Sequence, residues 1–261
     1  MKFSIITVCF NAEKVIDRTI ESLLSQSYIN WEYIIKDGES RDNTLNVVNR
    51  LVADDERTHI VSSKDEGIFD AMNQALAMAK GDYVYFLNAG DVFCNENILR
   101  DIATKLDEED GRIDVIYGDQ SEVSVAKNTT HVRKYSKFNE TWLAYSLGYC
   151  ICHQSMFSKR SLYNSKMLDI HYKVIADKEW QMYELKHRAK FEHIDLPIAN
   201  VLVEGFSNSH VKDLERETLE CLGRYYYVGK LIFGLTLILK KSKILHALIV
   251  KADAAVNVRN D

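Results

Sequence analysis

Acid and amide side chains recur at set places along the first ninety residues: Asn11 and Glu13, Asp37, Asp65 with Glu66, then Asn88 and Asp91. Each follows a short apolar, β-branched run. Carboxylates suit two chemistries, ligation of hard divalent cations and removal of a proton from a hydroxyl. A second group lies further on: Asp119 in a Tyr-Gly-Asp step, His153 with Gln154, and Asp177 with Glu179 near a helix start, where negative charge is favoured. Singly, most of these fit a cap or a turn, which Asn, Asp and Gly populate for backbone reasons. Their recurrence at strand ends is what makes a site. Cys150, Cys152 and His153 also lie close together, but no second ligand pair stands at zinc-finger spacing, so no structural metal is expected there.

The elements that must position these groups alternate strand and helix. Residues 3–9, 31–36, 59–62 and 83–87 read as strands. Between them lie helical spacings of apolar residues: Val15, Ile16, Ile20, Leu23 and Leu24; Leu45, Val48 and Leu51; Ile68, Met72, Ala75, Leu76 and Ala79, with Gly81 as the stop. Such alternation implies a parallel sheet with right-handed crossovers, and in such sheets ligands bind beyond the carboxyl ends of the strands. The middle is less regular: a strand at 114–117, a polar hairpin from 120–125 and 131–135, a core strand at 151–157, a helix at 176–187 and a final strand or edge segment at 200–206. The only proline, Pro197, is expected in a connection.

Length and composition bound the rest. The 261 residues, 46% hydrophobic and 27% charged, describe an ordinary globular chain, and disordered or collagen-like order is excluded. With 33 Lys+Arg against 38 Asp+Glu the net charge is −5, which argues against a nucleic-acid partner. Five scattered cysteines favour reduced thiols in a cytoplasmic setting over a disulfide framework. The N-terminal run is too short for a signal peptide and reads as a buried strand.

The stretches Ser4–Glu13 (SIITVCFNAE), Ile34–Thr44 (IIKDGESRDNT), Asp65–Leu76 (DEGIFDAMNQAL) and Gly81–Asp91 (GDYVYFLNAGD) together resemble family 2 glycosyltransferases, more narrowly the bacterial capsule and exopolysaccharide branch that includes colanic-acid-type enzymes. The likeness continues more loosely through HQSMF (His153–Phe157), ADKEW (Ala176–Trp180) and EGFSN (Glu204–Asn208). It implies a GT-A fold: a doubly wound, mostly parallel α/β sheet flanked by helices, holding a nucleotide-sugar. Carried over residue by residue, it implies that Thr7, Val8, Cys9, Asn11 and Glu13 lie beside ribose and base. Asp37 would accept from the base edge, Asp65 and Gly67 would border the base–ribose pocket, and Asn88, Ala89 and Gly90 would follow the donor. Asp91 would hold a divalent metal, Mn²⁺ or Mg²⁺, on the diphosphate. Asp177 matches the catalytic base, with Glu179 as the nearby substitute, and His153, Gln154 and Asp119 fall on the acceptor side. Two departures stand out. Asn88-Ala89-Gly90-Asp91 retains one carboxylate of the usual acidic cluster, and Met72 stands where many relatives carry Arg.

The expected activity is transfer, with inversion, of a hexosyl- or N-acetylhexosaminyl-type sugar from a UDP-linked donor to a lipid-linked saccharide acceptor in bacterial polysaccharide assembly. A lone Asp suffices for a metal that completes its shell with phosphate and water. A catalytically silent relative that binds a nucleotide-sugar or a partner transferase stays open. An NAD-dependent oxidoreductase does not fit, because residues 7–11 lack the G-x-G-x-x-G turn. The division expected is a catalytic domain over 1–210 and a helical segment over 211–261. In that segment apolar runs alternate with Lys240, Lys241 and Lys243, a pattern equally suited to a packed helix and to one lying on the inner face of the cytoplasmic membrane. The runs are too short to span it.

Overall fold

The computed structural model describes residues 1–124, 127–202 and 210–240, with side chains through residue 238. Four strands, β1 (Phe3–Cys9), β2 (Trp31–Asp37), β3 (Thr58–Ser62) and β4 (Tyr83–Phe86), lie parallel in the order β3-β2-β1-β4. The crossovers carry α1 (Ile16–Leu24), α2 (Thr44–Val52) and α3 (Ile68–Leu76). Every residue of β1, β2 and β4 is buried, as strands covered by helices on both faces must be. The sheet continues through β8 (Met156–Lys159), which runs antiparallel to both β4 and β6 (Val115–Ser124). It ends with β9 (Phe191–Leu202), parallel to β6, and the two-residue β5 (Val92–Phe93). This is the GT-A arrangement, a mostly parallel curled sheet between helical layers, the outer one including α4 (Ile98–Glu108).

The expected hairpin forms between β6 and β7 (Thr129–Arg133), with Glu122 opposite His131. Four expectations are corrected. Residues 151–157 are not one strand: a 3₁₀ turn at His153–Ser155 precedes β8. Side chains hold that segment, since the Cys152 N–H donates to the Tyr135 hydroxyl and the Tyr85 hydroxyl donates to the Gln154 carbonyl. Pro197 lies within β9 and not in a connection. It faces Asp119 where the β6–β9 register breaks, a place that tolerates a residue without an N–H. The last strand accordingly starts at Phe191, before the expected residue 200, while its continuation at 203–206 and the EGFSN stretch lie outside the described residues. Gly81 does not end α3, which stops at Leu76. A Cβ at Gly81 would meet the Ser4 nitrogen at 2.6 Å, so the residue allows β4 to start tight against β1.

The second half supplies the remaining wall. Helix α5 (Trp142–Leu147) follows the hairpin, α6 (Leu162–Ser165) follows β8, and α7 (Ala176–Lys186) carries Asp177 in its first turn. Helices α8 (Val211–Tyr225) and α9 (Tyr227–Lys240) pack back onto this half, with Cys221, Leu222 and Phe233 buried in the core that holds Trp180 and Tyr145. The buried carboxylate of Glu217 on α8 accepts the N–H groups of Lys173 and Val174, at 3.1 and 3.0 Å, just before α7. The helical segment therefore braces the loop that leads into Asp177. Among the described residues no helix is long and apolar enough to cross a membrane. All five cysteines are free.

Candidate active site

The carboxyl ends of β1 and β4, the start of α3, the β6–β7 hairpin, the 148–154 connection and the start of α7 surround one open cleft of about 920 Å³. Val8, Cys9, Asn11, Asp65, Gly67, Asn88, Ala89, Asp91, His153, Gln154 and Asp177 all line it, so residues from widely separated parts of the chain meet as the strand-end pattern requires.

On the β1–β3 side the polar groups interlock. Asn11 sits at φ 51°, a left-handed conformation that Asn tolerates; its N–H donates to the Ser40 hydroxyl and its Oδ1 accepts the Arg41 N–H. The Glu13 carboxylate accepts the Asn43 N–H at 2.8 Å. Asp37 is buried and accepts the Ser40 N–H and the Ser40 and Ser62 hydroxyls. Beside it the fully buried Lys36 spends its ammonium on the Asp37 and Ser63 carbonyls and on Asp65 Oδ2, at 2.9, 2.6 and 3.1 Å. Asp65 Oδ1 accepts the Gly67 N–H, and Gly67 opens α3 at φ 128°, where a side chain would be strained. Thr7 donates to the Leu87 carbonyl at 2.6 Å and ties β1 to β4. Thr7, Glu13, Asp37 and Gly90 therefore stand behind the cleft wall and shape it, while Asn11, Asp65 and Gly67 lie on its surface.

Opposite them are two carboxylates. Asp91 is 4% exposed; its Oδ1 accepts the Leu202 N–H at 3.1 Å and its Oδ2 the Gln154 amide at 3.2 Å. Burial raises its pKa to about 6, only partly offset by those two hydrogen bonds. A carboxylate so desolvated, with unused lone pairs on both oxygens, fits the single hard-oxygen anchor of a divalent cation that a diphosphate would share. Among the described residues no three His, Cys, Asp or Glu side chains cluster as a metal site. Asp177 is the second. Its Oδ2 lies 2.8 Å from His153 Nδ1, while its Oδ1 is buried without a partner. Burial alone would raise its pKa, but the hydrogen bond and charge of His153, aided by Lys178, hold it below the ordinary value. The carboxylate stays ionised at neutral pH and is able to take a proton.

The structure does not bring Asp119 to the cleft. It is buried within β6, accepting the Tyr135 N–H at 2.9 Å and contacting His193 at 3.0 Å, which pins hairpin and β9 together. Glu179, the alternative base, is also turned away: it is fully buried, paired with Lys166 at 3.1 Å and bonded to the Tyr225 hydroxyl. Met72 is core beside His153 and Asp177. The residues that sequence reasoning missed are Lys178, Gln120, Glu122, Arg133 and Tyr135, which line the far side of the cleft. Lys178 follows Asp177. Burial opposes its charge, but Cys150 and Asp177 outweigh burial and raise its pKa. Its position beside the predicted base was the one available signal.

A sheet of this order with its polar cleft at the strand ends defines a GT-A type fold. Residues 4–165 match Glycosyl transferase family 2, and the chain belongs to that family. It is 30% identical over 177 residues to a PGL/p-HBAD biosynthesis glycosyltransferase of Mycobacterium bovis, covering 67% of this chain and 66% of the relative. Over 99 residues it is 37% identical to the Escherichia coli UDP-Glc:alpha-D-GlcNAc-diphosphoundecaprenol beta-1,3-glucosyltransferase WfaP, 38% of this chain and 39% of that one. Among solved structures, S. aureus TarS 1-349 in complex with UDP-GlcNAc shares the fold with a TM-score of 0.67 and 20% identity, over 85% of this chain and 66% of that one. The chain thus spans just under two thirds of the mycobacterial relative and of the TarS fragment.

Proposed function

We propose that the chain transfers a sugar, with inversion, from a UDP-linked donor to a saccharide acceptor carried on a lipid, in bacterial polysaccharide assembly. The observation that carries this reading is one cleft with Asp91 and Asp177 on it, joined through the adjacent residues Gln154 and His153. The nucleotide would lie along Asn11, Asp65 and Gly67, with its diphosphate toward Asp91. Asp91 would hold a divalent cation there, which would supply neutralisation of the charge on the departing diphosphate. Asp177 takes the proton of the acceptor hydroxyl as the hydroxyl oxygen bonds to the anomeric carbon, and the bond from that carbon to the diphosphate breaks. A single base with direct displacement inverts the anomeric centre. Gln120 and Arg133 supply hydrogen-bonding groups for the acceptor. The UDP-linked donor and diphosphoundecaprenol-linked acceptor of WfaP support this choice of substrates.

The proposed place of work is the inner face of the cytoplasmic membrane. On α9, Tyr227, Val228, Leu231, Leu235 and Ile238 are each at least 53% exposed and share one helical face. No acidic residue lies between Tyr227 and Lys251, a stretch with five lysines. Incubation with UDP-glucose, UDP-GlcNAc and GDP-mannose plus an undecaprenyl-diphosphate GlcNAc acceptor tests the activity. Transfer with an inverted linkage, lost in Asp177→Asn, is expected; nucleotide-sugar binding without turnover of any pair supports the silent-relative reading instead.

A further inference from the structure

The side chain between the two carboxylates has a role that follows from which of its atoms are taken. His153 Nε2 lies 3.0 Å from Asn88 Nδ2, an amide donor, so Nε2 is the accepting nitrogen and the proton resides on Nδ1, directed at Asp177 Oδ2. An imidazole serving as the base needs a vacant nitrogen, and neither is vacant. Asp177 Oδ1 is buried and has no hydrogen-bond partner, so the His153 contact at Oδ2 is what orients the carboxylate. We propose that His153 is a positioning residue: clamped by Asn88, its Nδ1–H fixes the orientation of the Asp177 carboxylate at the start of α7. The inference rests on Asp177 being the base.

The surroundings leave His153 in control of that carboxylate. Asp177 is also faced by Cys152 from the connection, Tyr145 from α5, Tyr163 from α6 and Lys178 from its own helix. Burial raises the pKa of Tyr145 and Tyr163 and pushes Cys152 up to about 12, so these stay protonated and neutral. Only Lys178 and His153 favour the ionised carboxylate, and only His153 bonds it through its side chain. Because Asn88 lies three residues before Asp91 and Gln154 touches Asp91, the same clamp ties the base to the donor loop.

Two substitutions separate positioning from simple support. The Asn amide overlays imidazole Nδ1 and the Gln amide overlays Nε2, so His153→Asn keeps an N–H for Asp177 whereas His153→Gln keeps only the contact with Asn88. In the full-length protein, ¹⁵N-histidine spectra should show His153 as the Nδ1–H tautomer. The Asp177 carboxyl midpoint, read by ¹³C NMR, should rise by about one pH unit in His153→Gln and stay within roughly 0.3 of wild type in His153→Asn. An Nε2–H tautomer, or equal midpoints in the two variants, overturns the proposal. Nucleotide release from UDP-glucose separates this from the underlying reading. If Asp177→Asn releases nucleotide at the wild-type rate, the base assignment falls. If Asp177→Asn is inactive while the two His153 variants are impaired equally, the base stands and the positioning role falls.

Discussion

Asp91 should destabilise the protein that it makes functional. Its displacement from the ordinary 3.8 to about 6, caused mainly by burial, corresponds to about 3 kcal/mol of unfavourable ionisation at ~1.36 kcal/mol per pH unit. The folded state holds its proton more tightly than the unfolded chain. Stability therefore falls as pH rises from about 4 to about 6, and the loss is complete above that range. Asp91→Asn removes the charge while its Oδ1 still accepts the Leu202 N–H. Its new amide meets the Gln154 amide that formerly donated to Oδ2, and part of the gain is lost there. A net gain of about 1–2 kcal/mol at pH 7.5 is expected, vanishing near pH 4. Urea unfolding of metal-free wild type and variant at both pH values measures it, and Mn²⁺ with UDP should stabilise the wild type alone. A variant less stable than wild type at pH 7.5, or an equal difference at both pH values, refutes the reasoning that burial sets the state of Asp91.

Other outcomes follow from single contacts. Lys36→Met leaves Asp65 without its buried partner and should weaken UDP binding about tenfold by calorimetry, with Asp65 no longer held against β2. Glu217→Gln weakens the bracing of residues 173 and 174 and should cost about 1–3 kcal/mol in urea unfolding, with the larger effect in Glu217→Ala. Leu231→Glu with Leu235→Glu on the exposed face of α9 should abolish co-sedimentation with vesicles rich in phosphatidylglycerol and leave nucleotide binding unchanged.

The first half of the fold was legible because its code is local. Fully buried strands such as YVYF and helices with one apolar face each declare themselves within ten residues, and the turn residues after each strand mark the ligand edge. The second half depends on distant partners. Residues 151–157 read as one strand, but contacts from the Tyr85 and Tyr135 hydroxyls hold 152–154 where a 3₁₀ turn forms at His153–Ser155, which no local pattern encodes. Pro197 reads as a break until Asp119 provides the bulge that accommodates it. Asp91 and Asp177 were found from motif likeness, whereas the His153 link between Asn88 and Asp177 spans 65 and 24 residues and exists only in three dimensions. Asp119 looked equally chemical in sequence and proved to be bonded into the sheet.

The central claim is that the cleft takes a nucleotide-sugar through Asp91. It is tested most directly by titrating the purified chain with UDP, GDP and CMP, with and without Mn²⁺, beside Asp91→Ala. The account predicts Mn²⁺-dependent binding of UDP that disappears in the variant. Failure of the folded wild-type protein to bind any of the three would contradict it.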